Sequence, residues 1–320
     1  MRASPWRFVQ LTQLALSTMW MQKRHQSLDE FFDAARELGF DTFELNHQVS
    51  EDLIESAILP PDEILSVHAP CPTNPRTRGA QLSSLDKEER AHAVEAAMAS
   101  IQLAEEIGAR AVILHAGRVA VNPILETELR ALYDQGQKGS DEYENLKSEL
   151  AEERARHAER YLDAIRWSLE RLAGVADSSG VKLGLENRFH YYEIPLPDEL
   201  DRLLREFTGP VVPWFDTGHA YVLEELGFVD HGEWLSGFGE QLIGVHLHDV
   251  RVVRERPDPS DHLVLGTGLQ DHVAPSTGAV DFAEVLRCTP DQAIFACEFD
   301  WYHSPEEVKA GLVYLREVGF

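Results

Sequence analysis

Cysteine is scarce in this chain: three residues in 320, with no paired spacing. That excludes a disulfide framework and a thiolate zinc cluster, and points to a reducing, cytoplasmic setting. Cys297 falls in an apolar run and reads as a small core residue, and Cys71 reads as a loop bystander. Long apolar runs are missing too. None approaches the ~20 residues that span a bilayer. The N-terminal stretch FVQLTQLALSTMWM is broken by Gln10, Thr12 and Gln13, so it reads as a first strand plus loop and not as a signal peptide. Positive charge is in short supply: 29 Lys and Arg oppose 55 Asp and Glu, a net charge of −26. Such a chain repels nucleic acid and anionic membrane overall, and neither is an expected partner. The acid excess reads as a strongly solvated surface suited to a salty or crowded interior.

What is present is alternation. Short aliphatic runs at 11–17, 42–45, 64–68, 111–115, 182–186, 211–216, 243–248 and 294–298 are separated by helical patterns with clear punctuation. Ser27 with Glu30 and Ser304 with Glu307 form capping boxes, Gly39 and Gly108 stop helices, and Asp86 opens a long amphipathic one. Strands separated by helices pair in parallel through right-handed crossovers, and eight such units make a closed (β/α)8 barrel. Residues 1–320 are therefore expected to form a single TIM-barrel domain, with an apolar fraction of 43% to fill its core. Two segments exceed barrel connections. Residues 119–160 are charged and helical in pattern, extending the fourth helix. Residues 251–280 are rich in Pro, Asp and Gly and read as a long loop over the active face.

Seven polar residues sit where those strands end: His68, His115, Glu186, Asp216, His219, His246 and Glu298. Apolar strands do not normally finish in ionisable groups, because burying an unpaired charge is costly. When strand after strand does so, a shared divalent cation is the simplest stabiliser. Parity agrees, since Trp214 and Asp216 share one face of a strand, as do His246 and His248. Glu186, Asp216, His246 and Glu298, on strands five to eight, suit one ion. Oxygen ligands favour Mn²⁺ or Mg²⁺, and imidazole shifts the preference toward Zn²⁺, Co²⁺ or Fe²⁺. One ion is expected. His68 and His115 would add a second bridged by Glu186, and His219 with His262 a third, unless these contact substrate together with His248.

Plainer readings exist. A lone histidine ending a strand is commonly a hydrogen-bonded structural residue, and Glu186 is explained by a buried salt bridge to Arg188 or Lys182. The set in register outweighs any member. Trp20, Arg188, the FHYY run at 189–192, Trp301 and Tyr302 are candidates to line a pocket. Aromatic faces pack on sugar C–H faces, and Arg188 suits a carboxylate or phosphate. The same aromatics suit a dimer contact, so a homo-oligomer is compatible. Gly266-Thr267-Gly268 is a weak anion-cradle signal. His25, His47, His92, His157, His231 and His303 lie in loops or helices and read as surface residues.

The series HAP, HAG, E-N, D-T-G-H-A, H-L-H-D, L-G-T-G and E-F resembles the xylose isomerase-like TIM barrels, a superfamily of sugar-phosphate isomerases and epimerases, ketose 3-epimerases, inosose dehydratases and endonuclease IV. The resemblance covers residues 11–315. In the isomerase and epimerase branches it implies one divalent ion on Glu186, Asp216, His246 and Glu298. There the two glutamates move the proton and His219 contacts a substrate oxygen. In the endonuclease IV branch it implies three zinc ions that also use His68, His115, His219 and His262. Here the chain departs: Ser260 stands where that branch has an aspartate, with Asp258 and Asp261 as the nearest substitutes. Moving a hydrogen next to a carbonyl needs a base, an acid and stabilisation of an enediolate. The expectation is a metal-dependent isomerase or epimerase of a small sugar, keto-sugar or sugar phosphate. Its rivals are an endonuclease IV-type phosphodiesterase and an inosose-type dehydratase. A barrel that holds metal without turnover fits poorly with both glutamates in place.

Overall fold

A computed structural model describes residues 12–75, 77, 79–253, 268–275 and 278–320. Eight parallel strands close into a barrel: β1 (Leu14–Ser17), β2 (Thr42–Leu45), β3 (Ile64–His68), β4 (Ala111–Leu114), β6 (Lys182–Glu186), β8 (Val211–Asp216), β9 (Gly244–Leu247) and β12 (Ile294–Cys297). Each pairs with its sequence neighbour in the barrel, and β12 returns to β1. The fold is a (β/α)8 TIM barrel, as the alternation predicts.

The surrounding helices are α1 (Leu28–Leu38), α2 (Glu51–Ser56), α3 (Lys87–Ile107), α4 (Pro123–Asp134), α5 (Asp141–Ser178), α6 (Pro197–Glu206), α7 (Thr217–Glu225), α8 (His231–Phe238), α9 (Phe282–Cys288) and α10 (Pro305–Val318). Ser27, Asp86 and Ser304 cap α1, α3 and α10 by accepting backbone N–H groups, while Gly39 and Gly108 end α1 and α3 in the left-handed conformation. Residues 119–160 hold α4 and the first half of α5, a helix of 38 residues. Among the described residues no helix is long and apolar enough to cross a membrane.

Two small antiparallel ribbons lie outside the barrel. β5 (Gly117–Arg118) pairs with β7 (Glu193–Ile194), and β10 (Asp249–Val253) pairs with β11 (Gly268–Val273). The flanks of the expected 251–280 loop are thus strands. Asp249 anchors the return, since its carboxylate accepts the N–H groups of Gly278 at 2.8 Å and Val280 at 3.0 Å.

Inside the barrel, Ala15, Leu65, Ala111, Ile113, Trp214, Ile294 and Ala296 pack together. The Trp214 indole dominates this layer because its neighbours are small. A Cβ at Gly244 would lie 2.2 Å from the indole, and one at Gly184 3.1 Å. Trp214 stands against His246, with ring centroids 5.0 Å apart, and floors the cup where the strand ends converge.

Candidate metal centre

Local sequence explains how each side chain is aimed. Glu186-Asn187 ends β6. The Asn187 amide donates to the Asp216 carbonyl at 2.9 Å and accepts the Asp216 N–H at 2.7 Å, pinning β6 to β8. Asp216-Thr217-Gly218-His219 then turns β8 into α7. Asp216 caps that helix by accepting the His219 N–H at 2.7 Å. The Thr217 hydroxyl donates to the His248 carbonyl at 2.7 Å and accepts its N–H at 3.1 Å, which fixes the end of β9. Gly218 makes room for the His248 ring, which a Cβ would approach to 2.2 Å.

Glu186, Asp216, His246 and Glu298 come from four adjacent strands, β6, β8, β9 and β12. One donor atom from each lies within 4.8 Å of the other three, and all four residues are buried. His246 Nδ1 is 2.9 Å from Glu186, 3.5 Å from Glu298 and 3.6 Å from Asp216. On its far side, Nε2 meets Glu44 at 3.1 Å, and the same Glu44 oxygen accepts the Ser66 hydroxyl at 2.7 Å. A proton on Nε2 satisfies Glu44 and turns the Nδ1 lone pair toward three carboxylates. That donor set fits a divalent cation, and an outer carboxylate fixing the tautomer is the usual support for such a ligand.

Two further groups flank it. His68 donates from Nδ1 to the Ala69 carbonyl at 3.2 Å, and its Nε2 faces Glu186 at 3.5 Å, where that carboxylate outweighs burial and raises the imidazole. His115 Nε2 stands 2.7 Å from the same Glu186 oxygen. The Arg188 guanidinium also lies there, 3.0 Å from Glu186 and 2.6 Å from His115 Nε2, with Glu193 at 3.5 Å. The salt bridge to Arg188 is therefore real, whereas Lys182 donates to the Gly209 carbonyl. On the other side His219, His248 and His272 cluster within 4.8 Å. His219 and His272 spend their Nδ1 protons on the Asn187 and Glu298 carbonyls, at 3.2 and 3.1 Å. Their Nε2 atoms lie 3.8 and 3.7 Å from Asp271.

Electrostatics follow from this crowding. Burial alone would raise Glu186, but Arg188, His115 and His246 together overcome it and hold it well below the usual carboxylate range. Asp216 is likewise held well below, burial being overcome by His219 and His248. Glu298 goes the other way, raised mainly by burial despite His246. Burial would lower His246, yet the charges of Glu298 and Glu44 carry it well above an ordinary imidazole, and an ion ligated at Nδ1 would take the place of the proton held there. His47 falls to about 3 through burial and the charges of His68 and Arg188, so its ring is neutral. His248 is carried up to about 9 because Asp216 outweighs burial. Its Nδ1 accepts the His272 N–H at 2.9 Å, which requires the neutral ring while that bond is made.

Several expected placements are revised. Trp20 is 1% exposed and donates its N–H to the His303 carbonyl at 2.9 Å, so it packs in the core and offers no face to a substrate. Arg188 is spent on Glu186, His115 and Glu193, which makes it a support for the cup rather than a free anion binder. His47 and His303 are not surface residues: His47 packs against His68 and His115, and His303 Nε2 donates to the His272 carbonyl at 3.1 Å. His262, with Asp258, Ser260 and Asp261, lies outside the described residues. Among the described residues of the 251–280 segment, His272 reaches His219, and nothing in its sequence surroundings signals it. Glu44 carries no such signal: it is the third of four residues in β2, with Leu45 after it.

A family model described as the xylose isomerase-like TIM barrel matches residues 32–318. No curated protein matches the chain. Solved structures of the same fold include a D-tagatose 3-epimerase-like protein, 19% identical, covering 96% of each chain with a TM-score of 0.59. Another is an IolI protein with a binding zinc atom, 13% identical, covering 96% of this chain and 97% of that one, TM-score 0.58. A third is D-allulose 3-epimerase from Methylomonas sp. in complex with D-allulose, 15% identical over 96% and 97%, TM-score 0.54.

Proposed function

The chain belongs to the xylose isomerase-like TIM barrels, and from that premise we propose that it is a metal-dependent isomerase or epimerase of a keto-sugar, small polyol or sugar phosphate. The observation that carries the reading is the buried quartet Glu186, Asp216, His246 and Glu298, one donor from each of four neighbouring strands. Three carboxylates and an imidazole lone pair facing one centre are the ligand chemistry of a divalent ion. When bound, such an ion would stabilise negative charge developing on substrate oxygens beside the carbonyl.

The residues divide the proton work. β6 and β12 are separated in the barrel by β8 and β9, so Glu186 and Glu298 address the centre from different sides. Glu186, oriented by Arg188 at 3.0 Å, would take the proton from the carbon next to the carbonyl. Glu298, on the far side of the centre, would return a proton to the opposite face for epimerisation. Delivery to the neighbouring carbon would give isomerisation instead. His219 offers Nε2 to a substrate oxygen, its Nδ1 being fixed by Asn187. Incubation of metal-loaded protein with keto-sugars, inososes and sugar phosphates in D₂O tests the reading. Deuterium should enter next to the carbonyl, and Glu298→Gln should stop it while leaving the fold intact. Near-native exchange in that variant would remove Glu298 from the chemistry.

One observation favours a second reading. His219, His272 and Asp271 supply at different positions the donors that Ser260 denies, and three cations would suit a phosphodiesterase. The acid excess of the chain opposes it. Efficient incision of abasic DNA with zinc at physiological salt, lost in His272→Ala, would make it the better account.

A further inference from the structure

Beside the quartet lies a cavity of about 510 Å³ that the mechanism does not use. Its near wall is His47 and His115. His115 also touches Glu186 at 2.7 Å, so one side chain separates the cavity from the quartet. Its floor includes Ala96 and Ala97 of α3, where larger residues would fill the space, and its rim carries Gln81 and Arg118. Nδ1 of His47 is buried and makes no hydrogen bond.

We propose that this cavity is a subsite for a second ring, and that the natural substrate is a glycoside or disaccharide rather than a free monosaccharide. The proposal rests on the reading of the quartet as the reacting centre of a sugar enzyme and names the substrate class for it. Pockets of 300–1,000 Å³ suit molecules of drug size, which are larger than one sugar ring. The walls match a second ring chemically. An alanine floor accepts the C–H face, while Gln81, Arg118 and the unpartnered Nδ1 of His47 offer hydrogen bonds to hydroxyls. A glycosidic oxygen passing over His115 would link the two halves.

Calorimetric binding to the full-length protein tests this without requiring turnover. The probes are D-glucose, cellobiose, p-nitrophenyl β-D-glucoside, glucose 6-phosphate and inorganic phosphate. Cellobiose and the nitrophenyl glucoside should bind at least about tenfold tighter than glucose. Ala97→Trp should remove that advantage and leave glucose binding unchanged. Arg118→Ala, on the exposed rim, should reduce the advantage without touching the helix core, and serves if the tryptophan variant does not fold. Equal binding of glucose and cellobiose, or a preference that survives both substitutions, would overturn the proposal. So would a selective gain for the two phosphates, which would make Arg118 an anion site. Failure of the enzyme reading looks different: ring-selective binding would persist with no deuterium exchange on any sugar.

Discussion

Glu44 accepts from His246 and Ser66 through one oxygen, while its other oxygen is buried without a partner. Such a residue is costly unless its charge is used, and holding the His246 tautomer is that use. Glu44→Gln keeps the shape and removes the charge. Affinity for Mn²⁺ or Zn²⁺, measured by chelator competition, should fall about 10- to 100-fold; unchanged affinity would make Glu44 merely structural. The same residue shows what sequence reveals at this scale. Glu186, Asp216, His246 and Glu298 stood out because each ends an apolar run. Glu44 carried no such signal, being the third residue of the four-residue strand TFEL with an apolar residue after it. His272 and Asp271 carried none, since their approach to His219 depends on how β11 is brought back to the mouth. Trp20 was misplaced because an aromatic after a strand looks the same whether it faces a pocket or the core.

At the level of elements, strand and helix positions were readable because hydrophobic period and caps are local properties. The 251–280 segment was not, because β10 and β11 pair across a gap in sequence and their composition resembles loop. Helix contacts made by titratable groups were equally hidden. His231 opens α8 and lies between Glu224 of α7 and Glu284 of α9, bonded to both, with Nε2 3.1 Å from Glu284. Burial lowers this imidazole, but the two carboxylates more than compensate and raise it. A raised folded value means the clamp stabilises fully below the unfolded value of about 6.5 and fades as pH climbs through the folded one. With about a third of the ring exposed, solvent keeps the effect modest. His231→Ala should lower Tm by roughly 1–3 °C at pH 6 and leave it unchanged well into the alkaline range. A loss independent of pH would assign His231 to packing alone.

For the whole molecule, the net charge of −26 is the dominant fact. Like charges spread over one compact body repel, and salt screens them within a Debye length of roughly 10 Å at 0.1 M. Tm should therefore rise by several degrees between low salt and about 1 M NaCl; a flat or falling profile would show that pairs such as Arg154–Glu199 outweigh the repulsion. The barrel turns the same acidity to use at its mouth, where four buried carboxylates, Glu44, Glu186, Asp216 and Glu298, surround one imidazole. The proposed function needs a divalent ion there. Metal content after dialysis against zinc or manganese, with the ion located by anomalous scattering in crystals, tests it most directly. At least one tightly held ion per chain should lie between Glu186, Asp216, His246 and Glu298, and it should be lost in Asp216→Asn. Protein that holds no ion above background, or whose ion stays in place in that variant, would contradict it.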